Sequence, residues 1–102
     1  MFERMLRVGR RLEGSRVQLI VAPAAMLPGE VGYVIGAKQL PRAVDRNRLR
    51  RVLREALRAR RAALSGLDIV LRLRRPCAPT EVAAVASEAA MLLDRLEHTP
   101  GR

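Results

Sequence analysis

Residues 41–64, PRAVDRNRLRRVLREALRARRAAL, carry nine arginines yet keep Leu49, Val52, Leu53, Ala56, Leu57 and Leu64 at the i, i+3, i+4 spacing of one helix face. A helix of this kind cannot stand alone, because its apolar stripe must be covered while its charged side stays in water. Apolar, β-rich runs lie on both sides of it in the chain: VQLIVA at 17–22 and VGYVIGA at 31–37 before, LDIVLRLRR at 67–75 after. The stripe therefore has a sheet to pack on, and the expected fold is α+β.

The remaining elements follow from punctuation. Phe2, Met5 and Leu6 form a short helix face that Gly9 can stop. Pro23 ends the first apolar run, and Pro28-Gly29 marks a turn before the second, so residues 17–22 and 31–37 read as an antiparallel pair. Ser65-Gly66 closes the basic helix. In the next strand Leu67, Ile69, Leu71 and Leu73 alternate with Asp68, Val70, Arg72 and Arg74, the pattern of a half-buried strand. After Pro76 and Pro79, Thr80 can cap a final helix whose face is Val82, Val85, Ala86, Ala89, Leu92, Leu93 and Leu96. The expected order is α-β-β-α-β-α, with room for an extra short strand. At 102 residues the chain suits one domain over 1–97, followed by a flexible tail at 98–102.

Charge sets the class of partner. Twenty basic residues face ten acidic ones, for a net charge of +10, and a polyanion is the natural complement. Seven of the ten excess charges fall between Arg42 and Arg61, where only Asp45 and Glu55 are acidic. At about 100° per residue, Arg46, Arg50, Arg54, Arg58 and Arg61 gather on one side, flanked by Asn47 and Arg51. A merely solvated face would mix its charges, whereas like charges at i, i+4 repel unless an anion neutralises them.

Other classes fall away on inventory. Cys77 is the single cysteine and His98 the single histidine, too few for a zinc site or an intrachain disulfide. Cys77 lies in a loop between prolines, His98 in the tail, and the carboxylates are scattered, so no catalytic or metal-binding residues are expected. Asp45 reads as a helix-start acid favoured by the dipole. No run reaches the roughly 18 apolar residues of a membrane span, and the opening residues lack a signal-peptide core, which makes a cytoplasmic protein the expectation. Base stacking on a sheet would use several aromatics, and only Phe2 and Tyr33 are present. A helix-turn-helix DNA reader would place two helices around a short turn, not a strand on each side of the basic helix. Structured RNA, held by backbone and shape, fits best. A ribosomal or RNA-assembly protein with no processing role is the alternative reading.

The segment VGYVIGAKQLPRAVDRNRLRRVLREALRAR resembles the signature region of the bacterial ribonuclease P protein component. The matching features are Val31-Gly32, Lys38, Arg46-Asn47-Arg48, Arg50-Arg51 and Arg54-Glu55, in ungapped spacing. Ala37 stands where that family usually has a first lysine, and Leu6 where a second aromatic is frequent. The resemblance implies a left-handed βαβ crossover, against the usual right-handed rule. It also implies a subunit that pairs with a catalytic RNA to cut the 5′ leader from precursor tRNA. In that reading the RNA performs the hydrolysis, and Mg²⁺ is held by RNA and substrate, with no small-molecule cofactor and no membrane contact. The implied RNA-binding set is Lys38, Arg42, Arg46, Asn47, Arg48, Arg50, Arg51, Arg54, Arg58 and Arg61. The implied leader cleft is Phe2, Leu6, Val17, Leu19 and Tyr33.

Overall fold

The computed structural model describes residues 2–97, so His98 and the tail expected at 98–102 lie outside the described residues. The elements are α1 (Phe2–Val8), β1 (Arg10–Glu13), β2 (Val17–Pro23), β3 (Val31–Val34), α2 (Ala43–Arg58), α3 (Arg61–Leu64), β4 (Leu67–Leu73), a 3₁₀ turn at Pro79–Glu81 and α4 (Val82–Glu97). The result is a mixed α and β fold, a small sheet packed against helices.

The four strands lie in the order β1-β2-β4-β3. The extra short strand is β1, which makes an antiparallel hairpin with β2. The expected pairing of residues 17–22 with 31–37 is not made. β4 inserts between them, antiparallel to β2 with Val17 opposite Leu73, and parallel to β3 with Val31 opposite Ile69. The reason is burial: β4, with Asp68 through Leu71 all buried, is far more buried than β3 and takes a central place beside β2, leaving the four-residue β3 at the edge. β4 is accordingly not half-buried at its start. Its second face, at Val70, packs with Met5, Ile20 and Ala22 beneath α1.

The larger core lies on the opposite face. There Val17, Leu19, Val21, Ile69, Leu71 and Leu73 meet Leu49, Leu53 and Leu57 of α2 and Val82, Val85, Ala89, Leu92 and Leu93 of α4. Both apolar stripes read in the sequence are used. The basic helix, however, is broken. The Ala59 N–H still bonds back to the Glu55 carbonyl at 3.1 Å, but the Arg60 N–H reaches only three residues back, to Leu57, at 2.9 Å. Arg60 leaves helical geometry (φ −116°, ψ 14°), and its guanidinium pairs with Asp94 of α4 at 2.6 Å while also donating to the Ala56 carbonyl at 2.8 Å. Tethering to α4 coincides with the end of α2, and α3 restarts at Arg61. The start of α4 also differs from expectation. The backbone N–H of Ala78 donates to the Glu81 carboxylate and the Glu81 N–H donates to the Ala78 carbonyl, both at 2.8 Å, so Glu81 rather than Thr80 ties down this end.

One buried carboxylate and one half-buried one pin the loops. Asp68 accepts from the N–H groups of Glu30 (2.8 Å) and Ala25 (3.3 Å) and pairs with Arg4 of α1. The Glu30 N–H above all, then the Ala25 N–H and Arg4, hold its carboxyl below the usual carboxylate range against the cost of burial. Glu88 of α4 accepts from the N–H groups of Arg16 and Val17, each at 2.8 Å, and from the Ser15 hydroxyl at 2.9 Å. Burial works against its charge, but these donors outweigh it and lower its pKa. Gly29 is required where the 24–30 loop crosses the end of α3. Its N–H donates to the Ser65 carbonyl, and a Cβ there would lie 1.9 Å from the Leu67 carbonyl oxygen.

Candidate nucleic-acid interface

α2 meets the sheet through Leu49, Leu53 and Leu57, an i, i+4 series. Four residues advance about 40° beyond a full turn, so this series winds toward the sector that holds Arg46 and Arg50. Those two arginines are half-buried flanks rather than the centre of the charged face. The side pointing into solvent is formed by Val44, Asn47, Arg48, Arg51, Arg54 and Arg58. Nη1 of Arg46 donates to the carbonyls of Leu40 (2.9 Å) and Pro41 (2.7 Å), which ties the helix to the loop carrying Lys38. Nη1 of Arg50 donates to Oδ1 of Asn47 at 3.0 Å. Arg42 stands 3.8 Å from Asp45, the buried acid of the first turn, in keeping with its helix-start role. For Arg48, Arg51, Arg58 and Arg61 there is no hydrogen-bond or ion-pair partner among the described residues. The structure thus brings the basic set onto one continuous side of α2 and α3, with Lys38 exposed on the preceding loop.

The residues expected to form a leader cleft are not brought together. Val17 (2% exposed) and Leu19 (fully buried) belong to the core beneath α2 and α4, where no ligand reaches them. Tyr33 points to that same side and is half-buried beside Arg54. Burial pushes its hydroxyl up in pKa, with Arg54 pulling the other way. Phe2 and Leu6, at 38% and 37% exposed, stand on α1, which covers the opposite face. Neighbouring residues on a strand face opposite ways, which places Val17 and Leu19 on the core side and Gln18 and Ile20 on the side of α1. The strand residues on the α1 side are Gln18 and Ile20 of β2, Val34 of β3, and Val70 and Arg72 of β4. Gln18 and Arg72 are register partners with Arg74 beside them, lining a shallow cleft. The polar Gln18 amid VQLIVA was the available signal that its face is the less covered one.

Among the described residues no three His, Cys, Asp or Glu side chains converge. Cys77 is buried, its Sγ 3.3 Å from the Ala78 carbonyl, and burial, with the Glu81 charge adding to it, raises its pKa, so a thiolate is disfavoured. Asp68 and Glu88 are held by structural donors. No helix among the described residues is long and apolar enough to cross a membrane.

A small sheet that turns one arginine-rich helix outward defines the class, a basic α+β protein with a face suited to nucleic-acid phosphates. The sequence profile of the family described as Ribonuclease P matches residues 1–97. The chain is 33% identical over 94 residues to the ribonuclease P protein component of Nitrosomonas europaea, spanning 92% of this chain and 79% of that one. It is 39% identical over 92 residues to the ribonuclease P protein component of Bordetella parapertussis, spanning 84% and 75%. Its fold matches the Staphylococcus aureus RNase P protein with a TM-score of 0.80 at 18% identity, over 93% of this chain and 87% of the other. The Thermotoga maritima RNase P protein gives 0.73 at 24% identity, over 98% and 92%. The chain belongs to the ribonuclease P protein family.

Proposed function

We propose that this chain is the protein subunit of ribonuclease P, binding the catalytic RNA and the 5′ leader of precursor tRNA and assisting endonucleolytic removal of that leader. The match of the family profile over residues 1–97 carries this reading. The arginine face of α2 supports it, because a planar guanidinium holds phosphate bidentately and stacks on bases. Asn47, Arg48, Arg51, Arg54 and Arg58 meet the catalytic RNA, with Lys38, Arg42, Arg46, Arg50 and Arg61 at the margins. Residues 1–97 act as one RNA-binding domain in the cytoplasm. The unit β3–α2–β4, whose strands are parallel, is read as the family's left-handed crossover. Mg²⁺ is held by RNA and substrate phosphates, since the carboxylates of Asp68 and Glu88 are engaged by backbone donors.

The leader runs along the side of the sheet that carries α1, past Phe2 and Leu6, with Gln18 and Arg72 below. Phe2→Ala is expected to weaken binding of precursor tRNA to the assembled complex by about tenfold, within the roughly 1–3 kcal/mol of a base stacked on an aromatic ring, and to leave mature tRNA unaffected. Filter binding with both ligands tests it. Equal losses for the two would remove Phe2 from the leader path, and a wild-type complex without preference for the precursor would remove the leader role itself.

A further inference from the structure

A cavity of about 370 Å³ opens between the edge strand β3 and the α2–α3 junction, on the side of the sheet away from α1. Its lining is part apolar and part charged: Val31, Leu57, Leu64, Leu67 and Ile69 contribute apolar surface, with Tyr33 among them, and Arg54, Arg58 and Arg61 stand on its helical side. A purely structural gap in a core would be rimmed by apolar or paired groups. Here Arg58 and Arg61 are exposed and have no ion-pair partner among the described residues. An apolar patch that carries an aromatic side chain, beside a one-sided row of guanidinium groups, matches the two halves of a nucleotide: a flat base, then a phosphate within reach of more than one arginine. The break in α2 at Arg60 lies at the opening, and beyond it Arg61 and Leu64 line the cavity together with Arg54 and Leu57.

We propose that this cavity takes one unstacked nucleotide of the catalytic RNA, its base against Tyr33 and its phosphate on Arg54, Arg58 and Arg61. The proposal rests on the ribonuclease P reading and adds to it a base-holding site across the sheet from the leader path. The catalytic RNA is the favoured occupant because the cavity continues the outward arginine face of α2, whereas Phe2 and Leu6 lie on the other side of the sheet.

Tyr33 is the chain's only tyrosine, so incorporation of 3-fluorotyrosine places a single ¹⁹F resonance inside the cavity of the full-length protein. Titration of the free protein with 5′-AMP should move this resonance saturably, while ribose 5-phosphate and inorganic phosphate should move it much less. The double variant R58Q/R61Q should weaken the AMP response by about tenfold or more. Addition of catalytic RNA should shift the resonance in step with complex formation followed by gel shift on the same samples, and later addition of precursor tRNA should leave it in place. Tyr33→Leu should lower affinity for the catalytic RNA about tenfold while Tyr33→Phe stays near wild type, since stacking needs the ring and not the hydroxyl. A response to inorganic phosphate equal to that of AMP, or a complex that forms by gel shift with the resonance unmoved, would overturn the cavity site while leaving the RNA-binding reading intact. Failure of the protein to bind the catalytic RNA at all would overturn both.

Discussion

Changing Arg51, Arg54 and Arg58 together to Gln should reduce affinity for the catalytic RNA on the order of a hundredfold at moderate salt, with little effect on folding. All three side chains are exposed on the outward face of α2, and none is tied to a backbone carbonyl as Arg46 is. Gln preserves helix propensity, so thermal stability and circular dichroism should stay close to wild type. Removing one arginine–phosphate pair should flatten the plot of log K against log salt by about 0.7 to 0.9, so by roughly two to three units for the triple variant. The corresponding change at Arg46 should act differently, because its guanidinium holds the Leu40 and Pro41 carbonyls and so positions the loop bearing Lys38. A folded triple variant with unchanged affinity and slope would make the arginines a solvated surface and no more.

Asp68→Ala should be strongly destabilising, on a par with truncating a core leucine. It removes the acceptor shared by the Glu30 and Ala25 N–H groups and the partner of Arg4, an anchor that joins α1, the 24–30 loop and β4. Two partly buried N–H groups left unpaired cost about 1–3 kcal/mol each, which puts the loss on the order of 3 kcal/mol and the Tm drop above about 10 °C for a domain of this size. Arg4 is less critical, since about a third of its side chain is exposed and water can replace the carboxylate. The pH dependence has a definite sign. The folded-state pKa of Asp68 lies below its ordinary value of 3.8, so its charge stabilises the fold in full above that value, and the contribution is lost as pH falls through the lowered pKa. Glu88 acts in the same direction. Urea unfolding of wild type and Asp68→Asn should therefore differ most near neutral pH and converge in acid. A gap that persists undiminished below the lowered pKa would assign the loss to packing instead of charge.

Local pattern carried most of the fold. The stripes of α2 and α4, the short α1 ended at Gly9 and the strands at 17–23 and 67–73 were legible because each depends on periodicity within its own segment. What was not legible depends on partners. Strand order turned on β4 being more deeply buried than β3, which no single strand states. The break in α2 coincides with a bond from Arg60 to Asp94, 34 residues away. The basic face was visible as a charge count, but of Arg46, Arg50 and Arg54, on which the spacing centres it, only Arg54 stays on the outward side, beside Asn47, Arg51 and Arg58, once the drift of the leucine series is fixed by the sheet. Val17 and Leu19 entered the cleft through the family resemblance, which points to the strand but not to which of its faces is which. The side on which α1 docks decides the parity, and it assigns them to the core. Asp68, alternating with leucines in the sequence, looked solvent-facing and proved to be a buried anchor.

Reconstitution with precursor tRNA tests most directly whether the protein assists an RNA catalyst. Three reactions are compared across a range of Mg²⁺ concentrations: rigorously RNA-free protein, the ribonuclease P RNA of the same genome, and the two together. The protein alone should give no cleavage at any Mg²⁺ concentration. The RNA alone should cleave well only at high Mg²⁺, where screening replaces the protein's charge, and the complex should release the 5′ leader at low Mg²⁺. Turnover by the RNA-free protein, or a complex no better than the RNA alone at low Mg²⁺, would refute that division of labour.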